Sequence, residues 1–441
     1  MRAIALLAVA TAFGGGCGNK DRQKRAGDAA AVLVVTAPVL ADAGNSATTD
    51  EIEPNDTEDI ATPLALGGSV RGRIEPELDV DHYRIEITEA GALALELTAV
   101  EGVDLVLELE DAGGTLIARS DRGAGRIKEG VPNAAVAPGR YLAVVKSKKI
   151  VVPVKKGAKP KKGATVDAPV TTGPAPVYEI TAKLAAPVAN AEREPNDDRG
   201  TAIDLIVGDT VSGFVGWAGD ADVWKLSVEM LSEKNAIDID ISAVEGVVLS
   251  AEIADGIGQP LTVRKGPRGG PLALRGLVPV VPEGAPPFHY LTIRGDKSNH
   301  ETAYQLRVSA KVPGPDAELE PNDALDKAMA VLADRTVVHA SWTPGDVDCF
   351  VLAADPAVRT VDVTIVTPAE ADLSVELLVD GKVVAKSEHP GKGAAERVTG
   401  PIPAGAQPVV RVRGTDASAE GAYDVQIAEG PAAPPTGEPS P

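Results

Sequence analysis

Glu51-Ile52-Glu53-Pro54-Asn55-Asp56 is a short acidic stretch with a proline at its centre, and it returns twice. The second copy reads Glu192-Arg193-Glu194-Pro195-Asn196-Asp197 and the third Glu318-Leu319-Glu320-Pro321-Asn322-Asp323. An acidic pair with an aromatic behind it follows each copy: Asp79-Val80-Asp81-His82-Tyr83, Asp220-Ala221-Asp222-Val223-Trp224 and Asp346-Val347-Asp348-Cys349-Phe350. From each Asn to the first Asp of its pair is 24 residues, and from Asn to the aromatic 28. An Ala recurs six places after each Asn (Ala61, Ala202, Ala328) and a Val fifteen after (Val70, Val211, Val337). Fixed offsets of this kind mean three copies of one structural unit. The Asn-to-Asn distances of 141 and 126 residues make each unit a domain, not a solenoid repeat.

Around the signatures the chain alternates apolar and polar residues. Val70-Arg71-Gly72-Arg73-Ile74, Tyr83-Arg84-Ile85-Glu86-Ile87 and the stretch from Gly91 to Thr98 all read as half-buried strands. Asp104-Leu105-Val106-Leu107-Glu108-Leu109 runs into a turn at Gly113-Gly114, and Asp372-Leu373-Ser374-Val375-Glu376-Leu377 runs into one at Asp380-Gly381. The predicted class is all-β: three tandem β-sandwich, jelly-roll-like domains over 49–187, 188–312 and 313–429, with a disordered tail over 430–441. Short helical turns are expected only after each signature, as at Ala324 to Leu332. Aromatics make up only 3% of the chain, so Val, Leu, Ile and Ala must build the cores, with Tyr83, Trp224 and Phe350 inside them. Trp217 and Trp342 are expected to be partly buried.

Met1-Arg2, the apolar run Ala3 to Phe13 and Gly14-Gly15-Gly16-Cys17 form a targeting segment. Small residues before a lone cysteine resemble the lipobox of bacterial lipoproteins, with Gly14 where that motif carries an aliphatic. The resemblance implies a signal peptide over 1–16 and a lipid on Cys17. A flexible tether over 17–48 would then hold the protein to the cell envelope, and Gly18 in place of Asp is compatible with the outer membrane. A plain secretory signal with an incidental cysteine is the other reading. Cys349, left without a partner, is expected to be a buried, inert thiol.

The net charge of -21 excludes nucleic acid as a partner sought through general electrostatics. One segment opposes it. Between the last two strands of the first domain, an insertion over 146–176 carries Lys146, Lys148, Lys149, Lys155, Lys156, Lys159, Lys161 and Lys162. Such a finger suits an anionic partner such as lipid head groups, polysaccharide or an acidic protein; a solvated hairpin is the alternative.

The E-x-E-P-N-D signature, the D-x-D-x-aromatic pair, the D-L-x-L-x-L strand and the Pro/Ala-Gly turn before the Tyr-bearing strands resemble the bacterial pre-peptidase C-terminal domain family. The resemblance spans nearly all of 49–429. It departs at Val248-Leu249, where the other copies have Asp-Leu, and at His339, which stands where the others have Gly72 and Gly213. In related collagen-binding domains the acidic segment binds calcium. The resemblance therefore implies ligands at Glu51, Glu53, Asn55, Asp56, Asp79 and Asp81, at Glu192, Glu194, Asn196, Asp197, Asp220 and Asp222, and at Glu318, Glu320, Asn322, Asp323, Asp346 and Asp348. Calcium takes six to eight oxygens of this kind. The competing reading makes Asn and Asp turn caps and Glu a strand-edge decoration. No H-E-x-x-H, G-x-S-x-G or C-x-x-C occurs, so a non-catalytic protein that binds or spaces at the cell envelope is expected. Its alternatives are a calcium-dependent adhesin for an extracellular protein or polysaccharide, and an accessory that docks a separate peptidase.

Overall fold

The structure, a computed structural model, describes residues 48–75, 79–123, 126–148, 176–217, 219–231, 234–415 and 420–431. The expected signal peptide, Cys17, nearly all of the tether and Lys149 to Lys162 lie outside the described residues.

Six sheets form in pairs, and each pair closes on one apolar core. In the first sandwich the strands Thr48–Asp50, Ser69–Arg73, Val177–Ala185, Gly91–Leu97 and Glu129–Val136 lie side by side in that order. Facing them are Thr62–Pro63, Val80–Ile87, Gly139–Lys148, Asp104–Asp111 and Leu116–Ser120. The same two sheets recur. In the second sandwich Asp222–Ser227, Phe288–Gly295, Leu249–Ala254 and Pro260–Lys265 face Thr210–Val215, Asn299–Lys311, Ala236–Ile241 and Leu272–Leu277. In the third, Val347–Val351, Pro408–Gly414, Leu373–Val379 and Lys382–Ser387 face Val337–Trp342, Gly421–Pro431, Arg359–Val366 and Glu396–Ile402.

Strict alternation produces this packing. In Gly91–Leu97 the residues Leu93, Leu95 and Leu97 are buried, and in Arg359–Val366 so are Val361, Val363 and Ile365. Each such side chain contributes roughly 1.5–3 kcal/mol when buried. Tyr83, Trp224 and Phe350 sit at the heart of their cores as the pattern predicts. Cys349 is buried as well, and burial pushes its thiol up to about 11.

Three expectations need correction. Trp342 is fully buried in the third core, whereas Trp217 packs partly buried against the first. The helical stretch expected from Ala324 to Leu332 is one three-residue 3-10 turn, Leu325–Lys327; Met329–Ala330 instead pairs in parallel with Phe350 and Val351. The third copy is also out of step with the constant offset. Tyr178 pairs with Gly72 and Tyr304 with Gly213, but Tyr423 pairs with Ala340, not His339. Val338 rather than Val337 is accordingly buried beside Val70 and Val211 in role. One residue is gained before this strand and one lost after it, so the distance to Asp346 is unchanged. The exchange matters locally, because a Cβ at Gly72 would lie 2.3 Å from the Tyr83 hydroxyl and 2.5 Å from the Glu51 carboxylate. The third copy has Phe350, without a hydroxyl, at the Tyr83 place, and it carries Ala340.

The edge strands Glu129–Val136 and Leu272–Leu277 each contain a bulge opposite Leu93/Leu95 and Ile237/Ile239. At that bulge the signature of the next sandwich docks. Ala134 bridges Glu194 and Leu277 bridges Glu320, both in parallel.

Candidate metal centres

Each signature lies along the strand that follows it, and the backbone sets its carboxylates. The N–H groups of Glu51, Glu192 and Glu318 donate to the carbonyls of Arg71, Ser212 and His339. Their side chains turn back and accept from the N–H of Arg73 at 2.8 Å, Phe214 at 2.6 Å and Ser341 at 2.9 Å. The Glu-Pro bond that follows is cis in all three copies. The Asn N–H then donates to the second Glu: Asn55 to Glu53 at 3.0 Å, Asn196 to Glu194 at 3.0 Å, Asn322 to Glu320 at 2.7 Å. The Asn carbonyl accepts from His82, Val223 or Cys349, each next to the second Asp of the pair. The signature is thus clipped to the D-x-D strand, and all three Asn are wholly buried.

The result is one carboxylate cluster per sandwich. Glu51, Glu53 and Asp81 place oxygens within 4.8 Å of one another; so do Glu192, Glu194 and Asp222, and likewise Glu318, Glu320 and Asp348. Asp79, Asp220 and Asp346 adjoin them, each accepting at its strand end from Glu75, Gly216 or Thr343. Tyr178 donates to Asp81, Tyr423 to Asp348, and Tyr304 to Glu192. Asp56, Asp197 and Asp323 stand beside these groups. Asp56 faces Asp79, Asp197 adds repulsion on Glu194, and Asp323 meets a cation described below.

Crowding raises the carboxyls. Burial, then the charges of Glu51 and Asp79, push Asp81 up to about 8 against a hydrogen bond from Tyr178 that lowers it. In the second sandwich burial and neighbouring acids bring Asp220 to about 7 and Glu194 to about 10, with Glu192 and Asp222 also well above the carboxylate range. Among the described residues no Lys, Arg or His pairs with Glu192, Glu194, Asp220 or Asp222. Both polar atoms of the Asn196 amide, one oxygen of Asp220 and both oxygens of Asp222 are buried without a hydrogen-bond partner. Such groups are rare in native proteins and ask for a ligand. Asn55 Oδ1 and Asp81 Oδ1 are in the same state in the first sandwich. A set of hard oxygens without a counter-charge fits a calcium-like cation.

The third cluster differs. Arg264, on the strand Pro260–Lys265 of the second sandwich, enters it and is 4% exposed. Its guanidinium lies 2.5 Å from Asp346, 2.8 Å from Asp323 and 3.1 Å from Glu320. Burial alone would lower its pKa, but these carboxylates outweigh burial and raise it. Glu318 still rises to about 7, Glu320 to about 9 and Asp346 to about 6, burial leading in each. Two cluster atoms, Asn322 Oδ1 and Asp348 Oδ1, are left unpartnered.

The sequence reading missed Arg264 and also Asn133, whose amide donates to the Glu192 carboxylate at 3.1 Å across the first joint. The available signal was the second copy's departure from its sisters: strand pairing sets Arg264 where they have Ser120 and Ser387. Of the lysine finger, Lys146 and Lys148 are described, and they pair with Glu108 and Asp121.

No protein-family model and no curated protein matches the sequence. Among solved structures, the pre-peptidase C-terminal domain of collagenase from Bacillus anthracis is similar at 13% identity and TM-score 0.20, covering 28% of this chain and 94% of its own. The tandem CBM22-1-CBM22-2 domain of Xyn10C from Paenibacillus barcinonensis is similar at 12% identity and TM-score 0.15, covering 46% of this chain and 82% of its own. These are distant likenesses of β-sandwich to β-sandwich.

Proposed function

We propose that the chain is a non-catalytic, lipid-anchored protein of the bacterial cell envelope, built from three sandwiches of the pre-peptidase C-terminal type. It spaces or binds at the surface, and calcium stiffens it. Clustered acids beside orphaned buried oxygens, recurring at matching places in the first two sandwiches, carry this reading; all three acids are buried in the second, whereas Glu53 is exposed and Glu51 half-buried in the first. Glu51, Glu53, Asn55, Asp79 and Asp81 would hold the ion in one, and Glu192, Glu194, Asn196, Asp220 and Asp222 in the other. Bound calcium supplies the positive charge that lets these acids ionise while buried. The protein's own groups do the rest. The Asn carbonyl holds the signature on its strand, and the Tyr hydroxyl orients one acid.

Tyr83, Tyr178, Trp224, Tyr304, Trp342, Phe350 and Tyr423 are spent on the cores. Phe288 and Tyr290 on the second sandwich are half-buried, meeting edge to face at 5.3 Å under Lys225 and Arg199. A contact with polysaccharide or an extracellular protein would therefore fall to this pair or to the lysine finger, and membrane attachment to Cys17.

Calorimetric titration of calcium into the chelator-treated chain, with melting curves in parallel, tests the reading. Saturable heat and a raised melting temperature are expected, with the first-sandwich share of both lost in Asp79→Ala/Asp81→Ala. Neither heat nor shift at millimolar calcium would make the signature a folding motif alone.

A further inference from the structure

We infer that Arg264 is the resident cation of the third carboxylate cluster. It excludes a divalent ion there and closes the joint between the second and third sandwiches without metal. The inference rests on the calcium reading of the other clusters.

Three observations carry it. The first is contact: one guanidinium reaches Glu320, Asp323 and Asp346 at 2.5–3.1 Å and is itself held by the Thr262 hydroxyl at 2.6 Å. A planar, permanently charged fork suits several carboxylates at once. The second is a paired exchange inside the second sandwich. In the first, Ser120 donates to buried Glu129; in the third, Ser387 donates to buried Glu396. Strand register puts Arg264 at the Ser place and Leu272 at the Glu place. The acid that would have held the guanidinium within its own sandwich is gone, and the arginine reaches across the joint. The third is the contrast with the preceding joint. There the crossing group is the uncharged Asn133 amide, and among the described residues no Lys, Arg or His pairs with Glu192, Glu194, Asp220 or Asp222. A cleft of about 570 Å³ also opens beside Glu194, lined by Ala135, Arg193 and Thr201.

The test compares the full-length chain with Arg264→Ser, which restores the residue of the sister sandwiches, and with Arg264→Gln, which keeps more of the side chain. After chelation each is titrated with calcium by calorimetry and melted with and without the ion. Both variants are expected to bind at least one ion more than wild type. They should also melt lower than wild type in chelator and recover in calcium. Equal ion counts in wild type and variants would overturn the inference. So would a wild type with all three clusters filled, a result that needs no variant to fold. A wild type that takes no calcium beside a variant that takes one would instead sink the calcium reading and leave the arginine's role standing.

Discussion

The second and third carboxylate clusters occupy the same place in their sandwiches, each pressed against the bulged edge of the sandwich before. One is faced by an asparagine amide and the other by an arginine. On the reading proposed above, the acidic signature fixes a demand for positive charge, and the neighbour decides whether that charge comes from solution or from the chain.

The comparison breaks most visibly at Arg264. Arg264→Ala strands Glu318, Glu320, Asp346 and Asp348 without a cation, and removing one partner of a buried pair costs about 3–5 kcal/mol. Urea unfolding in chelator should record that loss, and calcium should recover most of it. The opposite behaviour is expected of Glu194→Gln/Asp222→Asn. The amides are neutral without taking up the protons that the buried acids must bind on folding, so the chelated protein should become more stable at neutral pH. Its calcium response at the first joint should vanish, a term of about 2.7 kcal/mol at a hundredfold excess over Kd.

pH sharpens the contrast. With Asp220 at about 7, Asp81 at about 8 and Glu194 at about 10, the folded chain keeps protons that the unfolded chain, titrating near pH 4, has released. Their contribution is complete below about pH 4 and is lost as pH rises through 7 and 8. Chelated protein should therefore melt lower at about pH 8.5 than at about pH 5.5, and calcium should flatten or reverse that slope. A chelated protein that gains stability over this range would contradict the burial of these groups.

Smaller effects separate joint from cluster. Asn133→Ala removes an amide donor to Glu192 and should cost about 1–2 kcal/mol. Glu420→Ala removes the pair with Arg275, 3.0 Å across the second joint, while leaving the arginine on Asp240, and should cost less than about 1 kcal/mol.

Much of this was legible in the sequence. Period-two alternation gave the strands, and the repeat gave three units with Asn55, Asn196 and Asn322 at matching places. Two things were hidden, for physical reasons. Constant spacing concealed the shifted strand of the third copy, because a gain before Val338 and a loss before Asp346 cancel, and only pairing with Tyr423 reveals them. Arg264 was invisible because its partners lie in another sandwich, 56 or more residues on. Within its own copy it reads as one more polar residue in an alternating strand. What could be read was that the second copy's middle departs from its sisters, and the arginine lies there.

The bulges in the edge strands have a consequence for how such an array is extended. An unpaired strand edge invites any passing strand. In the first two sandwiches the extra residue between Val131 and Ala134, and between Leu274 and Leu277, bends that edge so that it accepts one incoming segment, the successor's Glu-Pro stretch. The matching strand of the third sandwich, Glu396–Ile402, pairs with Arg359–Val366 without interruption and sets Pro401, which has no N–H to offer, beside the corresponding site. The socket for a successor is thus written into backbone register: the two strands that carry the bulge are the two that receive a signature. Moving a single residue into or out of that strand is then the smallest edit by which such a chain gains or loses the capacity to carry another module.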